Sequence, residues 1–141
     1  MKQLSVFVEN KVGRLSGVLN VLKDNNIDIS ALSLADTSEY GILRLVVDKP
    51  DEAVIALKEY GVMVKCTEVI AAAMDDAPGG LAYLLSVLSE ANVGIEYMYA
   101  FIGKAEGKAW TVLRVDDIEK ATAVFAEHNI AMHDDHDNYR R

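Results

Sequence analysis

Two short stretches carry the residue types from which a small-molecule site is built. Asp75-Asp76-Ala77-Pro78-Gly79-Gly80-Leu81 and Glu9-Asn10-Lys11-Val12-Gly13-Arg14-Leu15 each place a side-chain oxygen ahead of a glycine. Each also stands between an apolar run and an amphipathic one. A helix that starts at such a glycine presents unpaired backbone N–H groups and a partial positive charge, a setting that suits a carboxylate. Glycine removes the Cβ that would keep a ligand from those groups. Asn10, Asp76 and Asp28 offer oxygens that could meet an α-ammonium. An α-amino acid needs donors for one end and acceptors for the other. A simpler use of the same residues is architectural: Asn10 and Asp76 start helices, Pro78 sits in a first turn and Gly79 turns a corner. The two uses are compatible. Phosphate binding fits poorly, because no Gly-Lys-Ser/Thr follows a glycine loop and no G-x-G-x-x-G stands between strand and helix.

Other reactive side chains form weaker constellations. Cys66 lies in a strand-like run with no base beside it, which points to a buried, inert thiol. His133 and His136 stand among Asp134, Asp135 and Asp137 near the C-terminus; the spacing could hold a transition metal, but a polar tail without an apolar framework reads as solvated. Tyr97, Tyr99 and Phe101 alternate and would share a sheet face with Trp110 nearby. An RNA-binding sheet stacks bases on such aromatics. Here, however, the chain carries 14 basic against 22 acidic residues, a formal net charge of −8. Such a surface repels nucleic acid and anionic membranes, so these aromatics are expected to pack against a partner unit or subunit. No nucleophile–base pair or paired acids can be named on defined elements, so catalysis is not expected. No cofactor is expected either.

The elements that must position the two loops repeat. VGRLSGVLNVLKDNNIDI, from Val12 to Ile29, lies without a gap over PGGLAYLLSVLSEANVGI, from Pro78 to Ile95. Gly13 meets Gly79, Leu15 meets Leu81, Leu22 meets Leu88 and Asn26 meets Asn92. Farther on, Asp48 meets Asp116 and Val62 meets Ile130, so two extra residues lie between, most simply in the hairpin around Gly103–Gly107. In each copy an alternating strand leads to the loop. Leu15, Val18, Leu19 and Leu22, repeated as Leu81, Leu84, Leu85 and Leu88, then mark one helix face. A strand over Ile27–Leu34, a turn over Thr37–Gly41 and a strand over Ile42–Val47 follow. Pro50 opens a second helix, with Ala53, Ala56, Leu57 and Tyr60 on one face, and Val62–Thr67 closes the copy as a strand. The class is α+β: two tandem ferredoxin-like β-α-β-β-α-β units, each a four-stranded antiparallel sheet with two helices on one face. Residues 1–67 and 68–133 form the units, and 134–141 a polar tail. The lone cysteine and the absence of a long uncharged apolar segment suggest a cytoplasmic protein.

On these residues the chain resembles a pair of ACT domains, small-molecule-sensing modules of amino-acid metabolism. The resemblance rests on VENKVGRLSGVLNVLKDNNIDI and MDDAPGGLAYLLSVLSEANVGI and covers all but the tail. The loop Glu9–Leu15 is most similar to that of serine-regulated phosphoglycerate dehydrogenases. In that family the asparagine matching Asn10 helps hold the effector, and a position matching Asp28 on a neighbouring domain completes the site. Members have histidine where this chain has Val8 and asparagine where it has Asp28. The second copy has Asp76 for Asn10 and Gly94 for Asp28. The resemblance implies an amino-acid effector held between units by Asn10, Lys11, Val12, Gly13, Arg14 and Leu15 with Asp28. In the second copy it implies Asp76, Ala77, Pro78, Gly79, Gly80 and Leu81 with Gly94. It further implies a regulatory protein without catalysis, self-associating as a dimer, whose effect falls on a separate enzyme. A scaffold with the same fold and no ligand is the alternative.

Overall fold

The computed structural model describes residues 1–36, 39–102 and 107–133. Thr37 and Ser38 of the expected turn, most of the Gly103–Gly107 hairpin, and the tail with His136 lie outside the described residues. Lys2–Thr67 forms one compact unit; the chain from Glu68 onward, together with Met1, forms the other.

The amino-terminal unit runs β1 (Lys2–Glu9), α1 (Arg14–Asp24), β2 (Ile29–Asp36), β3 (Tyr40–Val47), α2 (Pro50–Tyr60) and β4 (Met63–Glu68). The sheet order is β2-β3-β1-β4. Alternation explains which face is dry. Leu4 pairs with Leu45 and Val6 with Leu43 across β1 and β3. These four are buried with Val8 and Val47 against Val18 and Leu22 of α1 and Ala53 and Leu57 of α2. The expected α2 face therefore holds at Ala53 and Leu57, whereas Tyr60 remains 47% exposed. Leu15 and Leu19 flank the core as half-buried residues.

The carboxy-terminal unit repeats the plan as β5 (Ile70–Asp75), α3 (Gly80–Glu90), β6 (Ile95–Ala100), β7 (Lys108–Val115), α4 (Ile118–Glu127) and β8 (Met132–His133), with sheet order β6-β7-β5-β8. Its core gathers Ile70, Ala72, Leu84, Val87, Leu88, Leu113, Val115, Ala121 and Phe125. Each unit is thus a four-stranded antiparallel sheet with two helices, the expected α+β class. No helix among the described residues is long and apolar enough to cross a membrane.

The four helices of the described residues end alike. Asn26, Asn92, Asn129 and Gly61 adopt positive φ just past α1, α3, α4 and α2. The next residue's N–H then donates back into the last turn: Ile27 to the Leu22 carbonyl, Val93 to Leu88, Ile130 to Phe125 and Val62 to Leu57. This is the Schellman arrangement, and only glycine or asparagine enters the left-handed region cheaply.

Two expectations change. Cys66 is exposed rather than buried, because β4 is an edge strand whose side chains are mostly open. His133, within the 68–133 unit, is not solvated as read but stands in β8: it pairs with Ala71, and its ring lies 3.8 Å, centroid to centroid, from that of Trp110. The described residues contain no cluster of His, Cys, Asp or Glu able to hold a metal. Tyr97 and Tyr99 do share a face, with ring centroids 6.5 Å apart.

The fully buried Phe125 makes a direct test of the second core. Phe125→Ala is expected to lower stability by about 3–5 kcal/mol, read from urea unfolding.

Candidate functional site

The glycine of each loop is the residue on which the chain turns. The Arg14 N–H donates to the Lys11 carbonyl at 3.2 Å, and the Gly80 N–H donates to the Ala77 carbonyl at 3.0 Å. Between them Gly13 has φ 87° and ψ −12°, and Gly79 has φ 89° and ψ −8°. These are the angles of the third residue of a type II turn, and Pro78 occupies the second position, where that turn favours proline. Pro78 therefore precedes α3 rather than sitting in its first turn. A Cβ at Gly13 or Gly79 would meet nothing within 4 Å. Glycine is required there by backbone angle and not by crowding. Gly80 differs, since a Cβ there would fall 1.9 Å from the Asp75 carbonyl oxygen.

Both turns deliver their helices without a cap. Gly13 and Gly79 are themselves the capping residues, and among the described residues no side chain caps α1 or α3. Asn10 and Asp76 therefore do not start the helices, contrary to the architectural reading. They are exposed, and their backbone N–H groups donate to Glu39 and Gly107 carbonyls, both at 3.2 Å. The N–H groups of Leu15 and Ser16, and of Leu81 and Ala82, have no acceptor among the described residues. By contrast, α4 is capped by Asp117, whose carboxylate accepts from the Lys120 N–H at 3.1 Å. Acidic residues occupy the first turns of α2 (Asp51, Glu52) and α4 (Glu119), and none occupies those of α1 and α3. The positive ends of α1 and α3 are thus left without internal compensation.

The remaining site residues divide by location. Lys11 pairs with Glu9 at 3.2 Å, Val12 is fully exposed, and Ala77 begins the second turn. Asp28 and Gly94 lie at the opposite ends of α1 and α3, roughly 16 Å from the glycine turns at 1.5 Å per helical residue. There the Asp28 N–H donates to Asp48 Oδ1 at 2.9 Å and the Gly94 N–H to Asp116 Oδ1 at 3.0 Å. A Cβ at Gly94 would stand 2.7 Å from Asp116 Oδ2, so a side chain there needs a shift of that carboxylate, an arrangement the first unit makes with Asp28 beside Asp48. Within one unit, Asp28 does not meet Asn10, and Gly94 does not meet Asp76.

Beside each turn lies a cleft whose walls no sequence motif marks. In the amino-terminal unit it measures about 570 Å³ and is lined by Phe7, Val8 and Glu9 of β1, Arg14, Tyr40, and Tyr60–Met63 at the junction of α2 and β4. In the carboxy-terminal unit the matching cleft measures about 240 Å³, with Asp75, Tyr83, Lys108 and His128 among its walls. Its Lys108 is held by Asp75 in an ion pair. The residues at the α2–β4 junction lie far along the chain from the glycine loop. The one hint in sequence was the repeat alignment that sets Tyr60 over His128.

A family model described as an ACT domain pair matches residues 1–140. Among solved structures, the chain is similar to protein BT0572 from Bacteroides thetaiotaomicron, at 40% identity and a TM-score of 0.88, over 94% of this chain and 90% of that one. It is also similar to the ligand-free regulatory subunit of aspartate kinase from Thermus thermophilus, at 14% identity and a TM-score of 0.70, over 91% of this chain and 90% of that one. The regulatory subunit of aspartate kinase from Thermus flavus matches at 14% identity and a TM-score of 0.62, over 89% and 90% of the two chains. At these lower identities the likeness concerns the fold. A search of curated proteins finds no match.

The contrast in capping gives a stability prediction. Asp117→Ala is expected to cost about 1 kcal/mol. Asn10→Ala and Asp76→Ala are expected to stay within about 0.5 kcal/mol of the parent. Urea unfolding of the three variants would measure the difference.

Proposed function

The chain belongs to the ACT domain pair family, and from that premise we propose that it is a regulatory protein that binds a free α-amino acid. The binding loops in this reading are Asn10–Leu15 and Asp76–Leu81. The observation that carries it is the pair of uncapped, uncompensated helix N-termini behind Gly13 and Gly79. Among the described residues, two of four helices keep their positive ends open, and they are the two that follow the repeated glycine turns. A carboxylate placed there would accept from the N–H groups of Leu15 and Ser16, or of Leu81 and Ala82, and meet the favourable end of the dipole. Asn10 and Asp76, free of any capping duty, would offer their oxygens to the ammonium group.

The same reading makes the protein a cytoplasmic, non-catalytic homodimer that acts on a separate enzyme of amino-acid metabolism. For that the ligand must favour one assembly or conformation over another, since equal affinity for both shifts nothing. Titration calorimetry with each of the common amino acids tests the proposal. Heat from at least one, at a stoichiometry of one or two per chain, supports it. Silence from all, with circular dichroism showing a folded protein, leaves a scaffold with the same architecture.

One substitution separates the binding role of the helix end from its structural role. Ser16→Asp places a carboxylate in the first turn of α1. It is expected to stabilise the fold by about 0.3–1 kcal/mol through the dipole. It is also expected to weaken binding at the first loop by roughly tenfold or more through repulsion of the incoming carboxylate. Thermal melting and calorimetry on the same sample would read the two opposed effects.

A further inference from the structure

We propose that the cleft of the amino-terminal unit is the side-chain pocket of the ligand site, and that it selects an α-amino acid with a large apolar side chain, one per chain. This rests on the amino-acid reading above and narrows it. The two clefts occupy the same place in the repeat, so their differences are informative. The first, at about 570 Å³, falls within the ~300–1,000 Å³ typical of ligand pockets, and the second, at about 240 Å³, falls below it.

The cause of the difference is a swap of bulk between helices. In the amino-terminal unit α1 carries Gly17, and a Cβ there would stand 2.2 Å from the Tyr60 hydroxyl oxygen. The Tyr60 phenol therefore lies across α1 where α1 has no side chain. In the carboxy-terminal unit the position of Gly17 is taken by Tyr83 and that of Tyr60 by His128, both lining the smaller cleft. His128 turns back on its own helix, with Nδ1 2.9 Å from the Val124 carbonyl oxygen. The tyrosine of the second cleft thus stands on α3, whereas that of the first comes from α2 and rests over Gly17.

Charge follows the same division. Arg14, the first residue of α1, lines the larger cleft, and its guanidinium has no partner among the described residues. Glu9 stands on the same wall. The counterpart of Arg14 is Gly80, and in the second unit Lys108 and Asp75 neutralise each other. Only the first cleft therefore offers an unengaged cation to a carboxylate, while its Glu9, like Asp75 in the second, is already paired with a lysine, Lys11. Its other walls include Phe7, Val8, Val62 and Met63, against which an apolar side chain can be removed from water. Tyr60 sets the depth of the pocket and is the specificity-determining residue.

Calorimetry on the full chain with L-leucine, L-methionine, L-phenylalanine, L-serine and L-aspartate tests this. At least one of the first three is expected to bind at one site per chain, with serine and aspartate weaker by roughly tenfold or more. Gly17→Ala, which forces Tyr60 aside, is expected to weaken the apolar ligand without lowering the melting temperature, since alanine is the better helix former. Arg14→Gln is expected to weaken it by roughly tenfold or more, yet leave binding of the matching amine without a carboxylate unchanged. Serine or aspartate binding while the apolar three stay silent overturns the pocket assignment and leaves the amino-acid reading standing. Two equal sites per chain, equal loss of acid and amine in Arg14→Gln, or an unaltered affinity in Gly17→Ala likewise overturns it. Silence from every amino acid overturns both.

Discussion

The organising constraint of this protein is electrostatic and lies at two helix ends. An α-helix leaves its first N–H groups without internal acceptors and concentrates positive partial charge beside them. Most proteins answer that condition with a capping side chain or an acidic first turn, and α2 and α4 carry such residues. In α1 and α3 the condition is left unanswered, and a type II turn brings the chain in by way of glycine. The rest of each unit holds that turn in place. The preceding strand is locked in the middle of its sheet, and the inner residues of the helix stripe, Val18 and Leu22 or Leu84 and Leu88, are buried against it.

Duplication has kept this arrangement and varied what surrounds it. The two turns differ by little more than a degree or two of φ. Beside them, however, Arg14 faces Gly80, Gly17 faces Tyr83 and Tyr40 faces Lys108 in the alignment. Backbone geometry is shared because the left-handed turn and the buried stripe leave few alternatives. The cleft walls are partly open to solvent, so substitutions there alter volume and charge without disturbing the core.

Most of the fold could be read in the chain because its signals are local or periodic. The helix stripes, the strand alternation and Pro50 at the start of α2 all act within a few residues. The glycine loops were equally visible, since a left-handed position after Val12 or Pro78 has few other residues to choose from. What escaped was set by contacts between distant segments. Cys66 looked like a core residue because it stands in a strand-like run with no base beside it, yet the strand lies at an edge. The caps expected at Asn10 and Asp76 were displaced because the glycines take the capping position themselves. The cleft needs Tyr60 to cross over Gly17, a meeting no window of sequence contains.

The four helix endings bear on how this chain tolerates change. Asn26, Gly61, Asn92 and Asn129 are all exposed, and a survey guided by solvent access alone would mark them as freely variable. Their positive φ says the reverse. Glycine and asparagine can trade places there, as Gly61 and Asn129 already do between the copies, whereas a valine or isoleucine would strain the backbone. Neutral drift at these surface sites is therefore confined to a two-letter alphabet, set by torsion rather than by burial.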